Sequence, residues 1–236
     1  MRETFPAEIA SRRYDLVVIG AGINGAGIAR DAAMRGLRVL LLDKGDLAGG
    51  TSSGSSRLIH GGLRYLEHGE IRLVRESLRE REALLRNAPH LVAPLPMAIP
   101  LYANAQRGPR VVRAGMAAYD ALSFDKSLPR HRVWSRAKAL RMTPGLNPEG
   151  LLGEAVYYDA QATFPERLVV ENTLSAVQHG AVVRTYARVI EIERAGQCVS
   201  GVVAADERSG ETFRVAARAV VNVAGPWVDE VLTGAA

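Results

Sequence analysis

The chain has 236 residues and is 47% hydrophobic, which suits a globular protein with a sizeable core. Its single cysteine, Cys198, excludes an internal disulfide and fits a reducing compartment. The net charge of +5 favours anionic ligands or surfaces, but no run of basic and aromatic residues forms the stacking platform that nucleic-acid binding would require.

Residues 1–13 lack the apolar core of a signal peptide and are predicted to be a loose leader. No apolar stretch reaches the roughly 18 residues that a membrane-spanning helix needs. The sequence therefore predicts a cytoplasmic protein.

Residues 14–43 combine an apolar run, a glycine turn, a helical pattern, a second apolar run and an acid. Gly20 permits a sharp turn, Gly22 lets a pyrophosphate approach the backbone, and Gly25 lets helix and strand pack closely. The helix N-terminus offers free N–H groups to phosphates. Asp43 lies near the position, roughly 20 residues on, where an acid binds ribose hydroxyls. This unit predicts FAD or NAD binding, the alternative being a glycine-rich turn in an ordinary α/β protein.

The stretch from Lys44 to Gly62 is rich in glycine, serine and threonine. It fits either a flexible surface loop or a cradle of hydroxyl and backbone N–H groups along the phosphates and the flavin edge. Its position directly after the ribose acid favours the cradle. The cofactor contacts predicted there are Lys44, Thr51, Ser52 and Ser53.

The middle of the chain changes from helical to extended patterns. Residues 69–87 predict a helix with a solvated charged face that includes Glu82. Three prolines between 94 and 100 favour loops and an edge strand at 97–101, which would begin a second, antiparallel sheet. Residues 107–122 are basic and then apolar, which indicates either an ordinary amphipathic helix or a patch on anionic lipid headgroups. Residues 125–150 predict a connecting segment with one short helix.

The last third of the chain predicts a return to the nucleotide domain. After a strand at 151–159, Thr163 and Glu166 have the spacing of a capping box, and a helix is expected over 167–179. Short strands at 181–186 and 189–193 precede a hairpin of 198–205 with 212–216. Residues 219–223 predict a parallel strand buried on both faces. Ala224 and Gly225 follow it, at the end of the strand where α/β sheets bind ligands.

Three segments resemble FAD-dependent glycerol-3-phosphate dehydrogenases: GAGINGAGIAR at 20–30, TSSGSSRLIHGGLRYLE at 51–67 and VAGPWV at 223–228. The resemblance covers nearly the whole chain. It implies an α/β fold with a Rossmann-like FAD-binding domain on a parallel sheet and part of an antiparallel-sheet substrate domain, as in D-amino-acid-oxidase-like and glutathione-reductase-like proteins. The family's chains are much longer, so this sequence is expected to be an amino-terminal portion.

The domain boundaries expected from this resemblance are a leader at 1–13, a discontinuous FAD-binding domain at 14–90 and 163–236, and a partial substrate-side domain at 91–162. In FAD proteins of this class the backbone at a position like Val189 meets the adenine. No histidine has a spacing that suggests a metal site.

The resemblance also implies a reaction. The substrate would be sn-glycerol 3-phosphate, the product dihydroxyacetone phosphate, and the electrons would pass through FAD to a quinone, or to oxygen in oxidase relatives. Peripheral contact with an anionic membrane, at the inner face of the cell membrane, and a homodimer are further expectations.

Removing hydride from an alcohol also requires a base for the hydroxyl proton, and histidine is the natural candidate. His60 is predicted to be this base, although a lone histidine also fits a structural role. Arg64 is expected to bind the substrate phosphate and Tyr65 to offer a hydroxyl donor. Alternatively, Arg64 only pins the helix that follows it.

Two other functions are compatible with the sequence. A relative that oxidises amines or amino acids would share residues 20–43 but should lack the HGGLRY stretch at 60–65. A truncated chain could bind FAD, or fold only partially, and catalyse nothing.

Overall fold

The computed structural model describes residues 6–233. The chain forms two compact units, one built from the residues up to Ser55 and from Phe164 onwards, the other from Ser56–Thr163. The helices are α1 (Pro6–Ala10), α2 (Ile23–Met34), α3 (Ile71–Asn87), α4 (Pro109–Leu122), α5 (Arg136–Met142), α6 (Pro165–Gln178) and α7 (Val228–Thr233). The strands are β1 (Arg13–Ile19), β2 (Val39–Leu42), β3 (Leu58–Ile59), β4 (Val92–Tyr102), β5 (Arg132–Ser135), β6 (Leu151–Ala162), β7 (Val182–Arg184), β8 (Ala187–Ala195), β9 (Cys198–Asp206) and β10 (Thr212–Asn222).

The first unit is a six-stranded mixed sheet in the order β7-β2-β1-β10-β9-β8. The pairs β7–β2, β2–β1 and β1–β10 are parallel, and β10–β9 and β9–β8 are antiparallel. Alternate residues of β1 and β2 enter separate cores on opposite faces, because successive strand side chains point to opposite sides. Val18 and Leu41 pack with alanines of α2 and α6 on one face, and Val17 and Leu40 pack with residues of β8, β9 and β10 on the other.

Part of the predicted leader belongs to this fold. Residues 6–10 form α1, and Ile9 is completely buried in the core that contains Val17 and Leu40. This apolar contact holds the segment against the sheet, so it is not loose. Residues 1–5 lie outside the described residues.

The predicted hairpin strand and the parallel strand that follows it are one continuous element, β10. Residues 212–216 pair with β9 and residues 216–222 pair with β1. The prediction that residues 219–223 are buried on both faces is wrong for the described chain. Ala219 is exposed and Val220 to Val223 are half-buried, because pairing with β9 ends at Ala216.

The second unit has an antiparallel sheet in which β6 pairs with β3, β4 and β5. The predicted edge strand at 97–101 is the second half of a longer strand, β4, which lies at an edge of this sheet as its prolines require. The predicted boundary at residue 90 differs from the observed one at residue 55. Residues 56–90 belong with this unit because Val74 and Leu78 of α3 pack on Tyr119 of α4. The assignment of the two units to cofactor and substrate stays a prediction.

Two local predictions about helices are wrong. Glu82 of α3 is buried rather than solvated, because it accepts hydrogen bonds from the backbone N–H of Ser127 and from Arg86. The capping box at Thr163 and Glu166 does not form. Phe164 is the N-cap of α6 and makes no side-chain cap.

No helix within residues 6–233 is long and apolar enough to cross a membrane.

Asp206 carries a buried charge at the turn between β9 and β10. One carboxylate oxygen accepts the backbone N–H groups of Arg208 and Ser209, at 2.9 and 3.0 Å, and the other accepts a hydrogen bond from the Arg184 guanidinium. The bond from Arg184 is the largest influence on the carboxyl and lowers the pKa of Asp206 to about 2.

We expect Asp206→Asn to lower the free energy of unfolding at neutral pH by about 2 kcal/mol, because the amide keeps the turn but loses the charged bond. The folded pKa lies below the unfolded value of about 3.9, so this contribution is present above pH ~4 and is lost as the pH falls towards 2. Urea unfolding at several pH values measures the difference. Glu207→Gln, which disrupts the exposed pair with Arg188, is the control and should change little. A wild-type advantage that persists undiminished at pH 2 would contradict this assignment.

Candidate functional site

The glycine turn between β1 and α2 is too tight for any side chain at two positions. A Cβ atom at Gly25 would lie 1.7 Å from the carbonyl oxygen of Gly20. A Cβ atom at Gly20, whose φ is +108°, would lie 2.6 Å from the carbonyl oxygen of Val223. Since real Cβ contacts do not come this close, both positions require glycine. The turn therefore brings the start of α2 directly against the ends of β1 and β10.

The first N–H group of α2 faces the serine-rich loop. Gly22 is the N-cap, and the Oγ atom of Ser52 accepts the N–H of Ile23 at 3.0 Å. A Cβ atom at Gly22 would lie 3.2 Å from the same hydroxyl oxygen. A serine hydroxyl can accept this bond and still donate to a phosphate oxygen. Ser52 thus lies where anions bind at a helix N-terminus.

Asp43 closes the other side of the turn. Its Oδ2 atom accepts the N–H of Ala21 at 2.6 Å, and Oδ1 accepts the N–H of Gly45 at 2.8 Å. A carboxylate has about four acceptor sites, so the half-buried group can still accept from ribose hydroxyls. The carbonyl of Asp43 accepts the N–H of Ala187 at 2.7 Å, which ties β8 to this site. The side chain of Val189, on β8, is buried in the core, so only its backbone could meet an adenine.

The end of the chain returns to the serine-rich loop. After Ala224 and Gly225, the Trp227 ring lies 4.4 Å from the Nζ atom of Lys44. The same Nζ is 3.3 Å from the carboxylate of Glu230. A Cβ atom at Gly50 would lie 2.8 Å from this ring. Trp227 was not among the predicted cofactor contacts, although it lies only two residues after the predicted Gly225.

The remaining loop candidates are exposed. Thr51 and Ser53 both lie at the surface, and the Ser53 hydroxyl donates to the carbonyl of Gly50 at 3.1 Å. The structure thus brings together, in the first unit, the predicted cofactor residues of the glycine turn, the acid and the loop.

The predicted catalytic residues lie in the second unit. His60, Arg64 and Tyr65 are exposed, whereas Gly61 and Gly62 between them are buried. Gly62 has a φ of +66° and begins a 3₁₀ helix, Leu63–His68, that carries Arg64 and Tyr65. One short turn therefore presents all three candidates.

Arg64 also lies on the wall of a largely apolar cavity of about 1020 Å³ in the second unit. Two other charged residues on this wall, Glu67 and Arg107, pair with each other at 2.6 Å. Among the described residues, this leaves the Arg64 guanidinium as the cation on the wall that can bind an anionic ligand. The cavity is lined by Leu63, Leu66, Ile99, Val112, Leu122 and Tyr157 among others.

Comparison with known proteins identifies the family. Residues 15–236 match the family model described as FAD dependent oxidoreductase. The chain belongs to this family. The family's cofactor is FAD, and the turn fits it, since a backbone cradle that a Cβ atom would fill, a helix N-terminus and an acid are the features that a dinucleotide site needs.

The chain is similar to two proteins called glycerol-3-phosphate dehydrogenase. The one from Synechocystis sp. is 51% identical over 230 residues, which are 96% of this chain and 41% of the relative. The one from Pseudomonas aeruginosa is 44% identical over 94% of this chain and 42% of the relative. The chain thus spans about two fifths of the length of these relatives.

Solved structures confirm the predicted fold class. The glycerol-3-phosphate dehydrogenase from Bacillus halodurans, complexed with FAD, is 31% identical with a TM-score of 0.75, over 97% of this chain and 38% of that one. Glycine oxidase from Bacillus cereus has a TM-score of 0.62 over 94% of this chain and 58% of that one, but at 22% identity it shows the fold alone.

Substitutions at two glycines of α2 test the cofactor site. We expect Gly25→Ala to abolish bound flavin, because its Cβ atom would overlap the carbonyl oxygen of Gly20. Gly27→Ala should retain flavin, because a Cβ atom there meets no other atom within 4 Å. Flavin absorbance per purified protein, with circular dichroism to verify folding, measures the result.

Gly22→Val extends the same test to the anion position. We expect a loss of flavin, because the added methyl groups would enter the space between the N-terminus of α2 and Ser52. Stoichiometric flavin in either Gly22→Val or Gly25→Ala would contradict the placement of the cofactor at this turn.

Proposed function

We propose that the protein carrying this chain oxidises sn-glycerol 3-phosphate to dihydroxyacetone phosphate with FAD. The observation that carries this proposal is 51% identity to a glycerol-3-phosphate dehydrogenase over 96% of the chain. It is supported by a turn that exposes both a histidine and an arginine, which supply a base for the hydroxyl proton and a cation for the phosphate.

Different residues of the chain are proposed to carry out different parts of this reaction. FAD, when bound, supplies the acceptor for the hydride that leaves the alcohol carbon. His60 accepts the hydroxyl proton as the carbonyl forms, so that no alkoxide charge has to build up on the substrate. Arg64 donates two parallel N–H bonds to the phosphate and Tyr65 offers a hydroxyl. In the first unit, Ser52 and the N–H groups of α2 hold the pyrophosphate and Asp43 holds the ribose.

A quinone is the proposed electron acceptor. The relatives of 44–51% identity are named dehydrogenases rather than oxidases, which favours an acceptor other than oxygen. A structural relative from Mycoplasma pneumoniae is a glycerophosphate oxidase, but at 17% identity it shares the fold alone.

An anaerobic substrate panel tests the proposal. Glycerol 3-phosphate should bleach the oxidised flavin of the full-length protein, and glycine and L-proline, the substrates named for two structural relatives, should not. Reduction by glycine or proline but not by glycerol 3-phosphate would replace this proposal with an amino-acid oxidase.

Histidine and arginine substitutions separate chemistry from binding. His60→Ala should slow flavin reduction by roughly 10²–10⁴-fold with little change in substrate affinity, because it removes a general base. Arg64→Ala should mainly weaken binding, because a phosphate contact is made equally in the ground and transition states. Rapid mixing over a range of substrate concentrations measures both.

His68→Ala and Arg72→Ala are the matched controls, since they remove the same groups from exposed positions nearby and should behave as wild type. Near-wild-type reduction in His60→Ala would show that the base lies elsewhere.

A peripheral membrane contact is proposed for the start of α4. Arg110 and Arg113 are exposed there, whereas Arg107 is paired with Glu67. Each basic residue near an anionic surface contributes about 1 kcal/mol, which salt screens. Such binding would keep the protein at the inner face of the cell membrane.

Co-sedimentation with anionic vesicles tests this contact. We expect Arg110→Gln with Arg113→Gln to reduce binding about tenfold or more, and Arg72→Gln with Arg79→Gln on α3 to leave it unchanged. Vesicle binding that is unchanged both by the Arg110 and Arg113 substitutions and by high salt would contradict the proposal.

A further inference from the structure

A buried ion pair lies in the second unit and has no part in the chemistry described above. Arg81 of α3 is completely buried, and its Nη1 atom donates to Oδ1 of Asp159 on β6 at 2.5 Å. Burying two charges costs so much solvation that such a pair adds little net stability compared with apolar residues. Net stabilisation alone therefore does not account for this pair, and its hydrogen-bond partners show what it does in the fold.

Tyr119 of α4 connects this pair to the backbone of the proposed active-site turn. Its hydroxyl lies 2.8 and 3.0 Å from the two carboxylate oxygens of Asp159, and it accepts the N–H of Gly61 at 2.8 Å. A carboxylate only accepts, so the hydroxyl must donate its one proton to Asp159. Burial and the neighbouring Asp159 raise the pKa of Tyr119, so the proton stays in place at physiological pH.

Gly61 is tightly packed within the turn that carries His60 and Arg64. A Cβ atom there would lie 2.5 Å from Leu78 and 2.6 Å from the Tyr119 hydroxyl, so the backbone is pressed against both side chains. His60 directly precedes this residue, and Arg64 follows it after three peptide bonds. A shift of the Gly61 backbone therefore moves both the proposed base and the proposed phosphate-binding side chain.

We propose that Tyr119, held by Asp159 and Arg81, is a positioning residue that fixes His60 and Arg64 through the N–H of Gly61. This inference rests on the proposed function. Displacement of reacting groups by about 1 Å is enough to cost a large part of a catalytic rate. The buried pair sets the direction of the Tyr119 hydroxyl, and the hydroxyl sets the position of the turn.

Tyr119→Phe in the full-length holoenzyme tests the proposal, because it removes only the hydroxyl and leaves the Gly61 N–H buried without its acceptor. We expect the Gly61 amide hydrogen to exchange at least about tenfold faster. Flavin reduction at saturating glycerol 3-phosphate should be about tenfold slower, with FAD content unchanged. The limiting rate should fall more than the substrate affinity.

Tyr102→Phe is the matched control. Its hydroxyl donates a hydrogen bond in the second unit, to the carbonyl of Asn147 at 3.0 Å, and this bond does not involve the turn that carries His60. Both the exchange of Gly61 and the limiting rate should stay at wild-type values. If Tyr119→Phe folds poorly, Arg81→Met with Asp159→Leu provides a second test, because apolar residues of similar volume can replace a buried pair. That double variant should show the same loss of rate and faster exchange at Gly61.

Two outcomes would overturn the proposal. Unchanged exchange at Gly61 in Tyr119→Phe would show that the hydroxyl does not hold the turn. Faster exchange with a wild-type limiting rate would show that the contact is structural only. If wild-type flavin is not reduced by glycerol 3-phosphate at all, the proposed function itself fails, and the exchange measurement still reports separately whether Tyr119 holds Gly61.

Discussion

The contact between Gly25 and the carbonyl oxygen of Gly20 is the constraint on which the first unit depends. Because a Cβ atom would lie only 1.7 Å from that oxygen, α2 can start directly above the end of β1. In this arrangement the N–H of Ala21 donates to the Asp43 carboxylate, and the N–H of Ile23 donates to the Ser52 hydroxyl. An acid, a hydroxyl and a helix N-terminus thus share one small region, which is the chemical requirement of a dinucleotide site.

The second unit depends on a different contact, the hydrogen bond between the Gly61 N–H and the Tyr119 hydroxyl. The turn at residues 60–65 exposes the side chains of His60 and Arg64, whereas Gly61 between them is buried. A buried N–H group needs a hydrogen-bond partner. Tyr119 supplies that partner, and Asp159 with Arg81 orients it. The first unit therefore depends on a main-chain contact that excludes side chains, and the second on a side-chain network that holds a main-chain group.

Local pattern predicted most of the first unit, because the glycine spacing, the apolar runs and Asp43 form one recognisable pattern within residues 14–43. It failed where long-range pairing decides the outcome. Residues 212–222 change partner from β9 to β1 within one strand, which no local signal marks. Arg81 was missed although it follows Val74 by seven residues and so shares the buried face of α3. Its position on the helix therefore predicts a buried charge. Its partner, Asp159, is too distant in sequence for a local pattern to identify.

The most direct test of the central claim is a titration of the deflavinated protein with FAD, FMN and riboflavin, followed by the quenching of flavin fluorescence. The glycine turn and Asp43 are assigned to the pyrophosphate and ribose of the adenylate half, which FMN and riboflavin lack. We therefore expect FAD to bind stoichiometrically and the two smaller flavins to bind at least about 100-fold more weakly, which corresponds to about 3 kcal/mol. Equal affinity for FMN and FAD would contradict the assignment of this turn as the dinucleotide site.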